Sequence, residues 1–561
     1  MRWTLIEKAE ASKINHLQKS IGVYESIAEL LVKRGIESFE DAKDFFRPDL
    51  EKLHDPFLMK GMHEATDFIL QKRNEEKPIM VFGDYDVDGT TSVALMSTYL
   101  RSLSFEILSY IPDRYEEGYG ISYQGIDHAK ANGIDLIIAL DCGIKAIEKV
   151  KYAKDLGIDF IICDHHRPGD EIPEATAVLD PKQEDCDYPF DELCGCGVGF
   201  KLLQALQMKL GKPQREIYKY LDLVATAIGS DIVPITGENR ILAHYGLKLI
   251  NLRRRPAFKA ILEQTKKKEL TITDVVFMIG PRINAAGRMK HGLLATELLC
   301  ETNLEKVKAL AQDIELYNAS RKDADRSITE EALKLIKDQK EEERFTTVVY
   351  QSHWHKGVIG IVASRLTETY YRPTLVFTKS GEKLAASARS VKGFDVYDAL
   401  ESSSEFIEQF GGHKYAAGLT LEERNFEKFK TKFEEVVKSS INPDLLIPEI
   451  AYDSEIQFKD ITPKFIRILK QFAPFGPSNM KPTFVSRNVS TTGFVKALGE
   501  EGIHLKANLT QNDIVITAIG FGLGDKKKLI EGNKSFDVVF TIEENEWNGD
   551  ISLQLNLKDI K

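Results

Sequence analysis

Long apolar runs are missing from this sequence. None reaches the roughly 18–20 residues needed to cross a bilayer, so a membrane-spanning chain is not expected. Cysteine is scarce and scattered: Cys142, Cys163, Cys186, Cys194, Cys196 and Cys300 among 561 residues. That pattern excludes a dense disulfide framework and fits reduced intracellular thiols. Cys194 and Cys196 form a CxC within LCGCGVGF, but no second cysteine pair lies nearby, so structural zinc is the weaker reading. An excess of positive charge is also missing. The net charge of −11 argues against a non-specific nucleic-acid binder, though not against one whose basic residues are confined to a groove. It leaves room for divalent cations that offset negative charge locally. No internal repeat and no low-complexity tract is evident. The opening MRWTLIEKAE turns charged too soon for a secretory signal, so a cytoplasmic chain is expected.

What is present suits a globular protein with real cores: 43% hydrophobic and 29% charged residues. The length implies three or four domains. Residues 1–75 show helical periodicity. From there apolar runs end in polar clusters, as in PIMVFGDYD, IDLIIALDCG, IDFIICDHH and ATAVLDP, with helix-like segments between. This alternation predicts an α/β domain over 76–295, a parallel sheet with helices on both faces. A charged stretch free of Gly and Pro over 296–344 predicts one long connecting helix, or two in near succession. A second, smaller α/β domain follows over 345–445. Residues 446–561 hold five or so strands, which suggests a small OB-like β-barrel.

Ligand sites in open parallel sheets lie beyond the carboxyl ends of the strands. Four clusters fall at such points or in a buried helix: Asp84, Asp86 and Asp88; Asp141; Asp164, His165 and His166; and Asp222, with Asp231 further along. Several carboxylates in one cleft cannot all stay ionised without positive charge between them. Carboxylates with imidazole and no thiolate suit Mn²⁺ or Mg²⁺, and the set is large enough for two ions. Within VFGDYDVDG, an extended backbone aims Asp86 and Asp88 to one side with Asp84 further back. A helix then begins at Thr90 or Thr91.

GDYDVDG followed by DCG and DHH resembles the DHH phosphoesterase superfamily. IPDRYEEGYG, GPRINAAGRM, WHKGVIGIVASRL, SARS, FGGHKYAAG and FAPFGPSNMKPTF narrow the resemblance to RecJ-type single-strand-specific 5′-to-3′ DNA exonucleases. It runs from about residue 20 to the C-terminus. It implies a DHH domain and a DHH-associated domain joined by a long helix, with an OB-like domain appended. It also implies two Mn²⁺ or Mg²⁺ ions held by Asp86, Asp88, Asp141, His165 and Asp222. Asp141 would bridge the ions, and His166 would face the scissile phosphate. Asp141, His165 and His166 form the implied catalytic set, and Asp84 would orient a ligand from behind.

Many superfamily members carry histidine four residues before Asp86, where this chain has Phe82. Ser387 and Arg389, with Arg114, match positions that hold a 5′-terminal phosphate, for which arginine's fork is well suited. His413, among the glycines of GGHKYAAG, would touch a phosphate near the cut. Arg282 and Arg288 would hold the strand backbone, or else pair across an interface. Phe484, Phe494 and Trp547 are candidate stacking aromatics of the barrel.

The expected activity is degradation of single-stranded DNA from its 5′ end to mononucleotides, in repair and recombination. Expected partners are single-stranded DNA, a single-strand-binding protein and a helicase, with the chain a monomer. No further C-terminal domain is expected after the OB-like one. The alternatives are an oligoribonucleotide or cyclic-dinucleotide phosphodiesterase of the same superfamily, and a non-enzymatic scaffold. The barrel and the long chain weigh against the first, and the intact ligand set weighs against the second.

Overall fold

The protein is described from a computed structural model covering residues 1–263, 265–532, 535–547 and 550–561, with the side chains at 547 and 550 outside the description. Two compact units result. One comprises residues 3–283, 295–308 and 450–561, and the other residues 1–2, 284–294 and 309–449.

In the larger unit, five short apolar runs form a wholly parallel sheet: β1 (Ile79–Gly83), β2 (Ile107–Tyr110), β3 (Leu136–Leu140), β4 (Asp159–Cys163) and β5 (Ala177–Leu179). β1 and β3 are buried at every residue, which is why they read as continuous apolar runs rather than alternating ones. The strand order is β2-β1-β3-β4-β5. Chain direction across the sheet therefore reverses between β1 and β3, and a doubly wound sheet binds its ligand at that switch point. DYDVD follows β1 and Asp141 follows β3.

Three helices support the switch point: α1 (Val87–Ser102), α2 (Gly195–Lys209) and α3 (Leu221–Ser230). α1 starts earlier than expected. Asp86 is its N-cap, its Oδ1 accepting from the Gly89 amide at 3.1 Å. Asp88 thus lies in the first helical turn and does not share an extended segment with Asp86. Gly89 sits inside the helix because a Cβ there would come within 2.3 Å of the Asp84 carbonyl oxygen. Phe82 is buried and stacks on Tyr110, ring centroids 5.3 Å apart. It belongs to the apolar core on one face of the sheet.

Five strands, Thr483–Leu498, His504–Gln511, Ile514–Gly520, Phe536–Trp547 and Asp550–Ile560, form a closed barrel, shut by pairing of the first with the fourth. Phe484 is fully buried inside it and is not a stacking surface. Phe494 is exposed, and the Trp547 side chain lies outside the described residues. The barrel's core is completed from the other end of the chain. Helices Ala11–Ile21, Glu25–Val32 and Phe39–Phe46 insert Leu17, Ile27, Leu30, Leu31 and Phe45 into the same cluster as Phe465, Phe484, Leu505 and Phe540.

Arg240, in the helix Gly237–Asn251, ties these parts together. Its guanidinium donates to the carbonyls of Phe45 (3.0 Å), Gln471 (3.2 Å), Phe472 (2.8 Å), Ala473 (3.1 Å) and Pro474 (3.4 Å), and stacks on the Phe45 ring at 3.8 Å.

The charged stretch after residue 296 is two helices in succession, Leu293–Cys300 and the 35-residue Leu304–Asp338. In the smaller unit a five-stranded mixed sheet runs, in spatial order, Gln409–His413, Ala416–Leu421, Lys383–Arg389, Thr374–Ser380 and Thr347–Tyr350. Helices Ile359–Tyr370 and Phe426–Ser440 accompany it.

Candidate metal centre

The cluster at the switch point is built from three strand ends and one helix end. His165, just past β4, places Nε2 3.2 Å from Asp141 Oδ1, 3.5 Å from Asp231 Oδ2 and 3.9 Å from Asp88 Oδ2. Among the described residues two overlapping triads, Asp88–His165–Asp231 and Asp141–His165–His166, bring donor atoms close enough to share an ion. Asp141 reaches the cluster from a left-handed backbone conformation, φ +59°. Such strain at a functional site is stable only when its surroundings over-determine it. Here they do: α2 packs so closely that a Cβ on Gly195 would lie 2.6 Å from the Asp141 Cβ.

Asp88 is fixed by the same helix. The amides of Gly195 and Cys196, at the N-terminus of α2, donate to its two carboxylate oxygens at 2.7 and 2.8 Å. A helix N-terminus favours negative charge through its unpaired amides and its dipole. LCGCG is therefore a carboxylate clamp. Cys194 serves as the N-cap, its Sγ accepting from Gly197 N at 3.4 Å.

The structure does not bring Asp222 into this cluster. It lies in the first turn of α3, whereas Asp231 caps the C-terminus. Nine residues of helix separate them by about 13 Å at 1.5 Å per residue, so only one of them can reach His165, and it is Asp231. Asp222 instead makes a bidentate pair with Arg255, Nε–Oδ2 and Nη2–Oδ1 both 2.8 Å. The usable signal lay in the sequence: RRR at 253–255 offers a partner for one buried carboxylate, and the carboxylate so paired is withdrawn from the cluster.

Electrostatics describe a site crowded with negative charge. Burial, then the charge of Asp86, raises Asp84 and Asp88 to about 7. Burial, then Asp88, raises Asp231 to about 8 and Asp141 well above the carboxylate range. Asp86 contributes to all four shifts, so it borders the same cleft. Asp84 Oδ1, Asp141 Oδ1, Asp231 Oδ2 and His165 Nε2 are buried without a hydrogen-bond partner. Burial and the neighbouring His166 lower His165 to about 3, leaving it neutral. Orphaned carboxylate oxygens facing a neutral imidazole nitrogen are the donor set a divalent cation takes, so the residues present fit such an ion.

His166 differs from His165. Its Nδ1 pairs with Asp164 Oδ1 at 2.7 Å, and its Nε2 meets the Tyr119 hydroxyl at 3.1 Å. Asp164 also accepts from the amides of Ile144, His165 and His166. Burial pushes this carboxyl upward, but the bonds and charge of His166, with the Ile144 amide, outweigh it and hold it at about 2. Tyr119 went unremarked in the sequence, where nothing distinguishes it from the other tyrosines of IPDRYEEGYGISY. Arg114 stacks over the Tyr85 ring at 4.3 Å, and its charge favours ionised Asp84. Arg282 Nη1 donates to the Met278 carbonyl at 2.6 Å.

In the smaller unit, Arg389 Nη1 donates to Ser387 Oγ at 3.1 Å and to the Ala388 carbonyl at 2.7 Å. Gly360, at the start of helix Ile359–Tyr370, leaves room for them. A Cβ there would lie 3.0 Å from Ser387 Oγ and 3.3 Å from Arg389 Nη2. Pairing of His413 with Ala416, and of Ala416 with Arg389, puts these three residues in one row across the sheet. His413 is exposed at its strand end. Arg288 Nη1 donates to the Gly357 carbonyl at 2.9 Å.

A parallel sheet of this strand order, with an aspartate–histidine cluster at its switch point, defines a DHH-type fold. Residues 78–228 match the DHH family, N-terminal domain, residues 343–439 the DHHA1 domain and residues 452–559 the RecJ OB domain. The chain belongs to the RecJ family of single-stranded-DNA-specific exonucleases. It is 35% identical over 563 residues to the Bacillus subtilis strain 168 member, covering 100% of this chain and 70% of that one. It is 33% identical to the Escherichia coli member, covering 90% of each. The crystal structure of RecJ from Thermus thermophilus in complex with Mn²⁺ superposes with a TM-score of 0.85 at 27% identity, over 100% of this chain and 79% of that one.

Proposed function

We propose that this chain hydrolyses single-stranded DNA from its 5′ end to mononucleotides, with two divalent cations, Mn²⁺ or Mg²⁺, as cofactors. The observation that carries this reading is the convergence of orphaned polar atoms of Asp141, His165 and Asp231 beside Asp88, in a chain of the RecJ family. Asp88, Asp141, His165 and Asp231 would hold the ions, with Asp86 and Asp84 lining the same cleft. Bound there, the cations would lower the pKa of a water toward neutrality and offset charge on the phosphate.

The chain's own residues do the positioning. The α2 amides fix the Asp88 carboxylate, and the close approach of Gly195 fixes Asp141. Asp164 holds Nδ1 of His166 and so directs Nε2 outward, where it donates a hydrogen bond or a proton to the phosphate oxygens. Arg114, Arg282 and Arg288 hold strand phosphates. Ser387 and Arg389 hold a terminal 5′-phosphate beside a helix N-terminus, and His413 touches a phosphate near the cut. The barrel grips the single strand, and a single-strand-binding protein and a helicase are the proposed protein partners in repair and recombination.

The test is a substrate comparison with Mn²⁺, using 5′-labelled and 3′-labelled single strands, duplex and a dinucleotide. Early release of labelled mononucleotide from the 5′-labelled single strand supports the proposal. Preferential cleavage of the dinucleotide refutes it.

A further inference from the structure

Asp231 is followed by a residue that the fold does not explain. Ile232 has φ +63°, a conformation that a β-branched side chain avoids because its Cβ crowds the backbone. It is also 69% exposed, although Val233 and Ile235 beside it are buried. Core packing does not account for isoleucine here, and glycine or asparagine would make the turn with less strain. Backbone strain of this kind gathers at functional sites.

The location gives it meaning. Of the three carboxylates around His165 Nε2, the Asp231 side chain is the one that reaches solvent, at 25% exposure, against 0% for Asp88 and 4% for Asp141. The cluster therefore reaches solvent through Asp231 as well as through His166, and Ile232 directly follows Asp231 in the chain. His166 Nε2 and the Tyr119 hydroxyl, 3.1 Å apart, present polar atoms beside the cluster that suit phosphate and solvent.

We infer that Ile232 is the apolar contact for the base of the nucleotide being cut. This rests on the nuclease reading above. A branched alkyl group offers no hydrogen-bond code, so it presses on any base without reading sequence, much as stacking platforms do for single strands. It also orients the nucleotide relative to the cluster.

The experiment uses the full chain with Mn²⁺, as wild type, Ile232→Gly and Ile232→Leu. The substrates are two 5′-phosphorylated single strands, one ordinary and one abasic at its 5′-terminal nucleotide. Ile232→Gly is expected to lose about tenfold in kcat/KM on the ordinary strand, the scale of one base contact. On the abasic strand it should lose about twofold or less, while Ile232→Leu retains most activity on both. Because glycine relieves the left-handed strain, its melting temperature should not fall below that of wild type. Equal losses on both strands would show that the residue acts through Asp231 and would overturn the inference, as would no loss on either. Failure of the wild type to cleave either strand would instead remove the nuclease reading itself.

Discussion

Asp222 and Asp231 sit at opposite ends of one helix, and exchanging each for asparagine separates structure from chemistry. Asp222→Asn removes the negative half of a bidentate pair whose partner, Arg255, is 11% exposed in its side chain. Arg255 keeps its Nη1 bond to the Leu299 carbonyl at 3.0 Å and at most one bond to the asparagine amide oxygen, and is left as a largely uncompensated buried charge. Breaking one side of such a pair costs about 3–5 kcal/mol. A urea titration should therefore show a large fall in midpoint, with nuclease activity retained in the fraction still folded. Asp231→Asn keeps the shape and removes a carboxyl that burial and the neighbouring Asp88 already push up to about 8. The metal-free protein should be as stable as wild type or more so, since like-charge repulsion is relieved. Its Mn²⁺-dependent activity should fall by more than the roughly 10–100-fold lost when a supporting outer residue is removed. A stable, inactive Asp222→Asn beside an active Asp231→Asn would refute the assignment of the helix ends.

Four further outcomes follow from the geometry. Gly195→Ala forces a methyl against Asp141 and should weaken Mn²⁺ affinity measured by calorimetry, with little change in secondary structure. Arg240→Met strands five backbone carbonyls and should cost about 4 kcal/mol or more in urea, while cleaving proteases gain access near residues 471–474. Arg389→Ala should abolish the preference for 5′-phosphorylated over 5′-hydroxyl ends, measured as a ratio of kcat/KM values. His244 is lowered to about 4 by burial, then by Lys248 and Arg240. Its unfolded value is about 6.5, so its contribution to stability is present above that pH and is lost as pH falls toward 4. His244→Gln should shrink the drop in urea midpoint between pH 7 and pH 5.

What the sequence made legible was local. Each strand of the sheet could be read because its apolar run is short, buried on both faces and ended by a polar cluster. The sheet then carried Asp88, Asp141 and His165 to one place by topology alone. What stayed hidden depended on geometry that spacing does not encode. DYDVDG looks extended, yet Asp86 caps a helix and rotates Asp88 into its first turn. Asp222 and Asp231 are equally acidic and differ only in which end of a helix faces the cluster. LCGCG offered two thiols to the eye, whereas its backbone amides hold the carboxylate. The row of His413, Ala416 and Arg389 needed a strand register, and the N-terminal helices gave no sign of the barrel they complete.

That last pairing has a consequence for synthesis. Phe45 and Ile456 are consecutive members of one core, so the apolar faces of the first helices must wait for everything between them to be translated. At about 5–20 residues per second the wait is roughly 20–80 s, long compared with microsecond helix formation. The ribosome thus delivers an orphaned hydrophobic surface first and its partner last. Holding factors that bind nascent chains have a defined target at residues 11–46, and a contiguous fragment starting at residue 446 would lack part of its own interior.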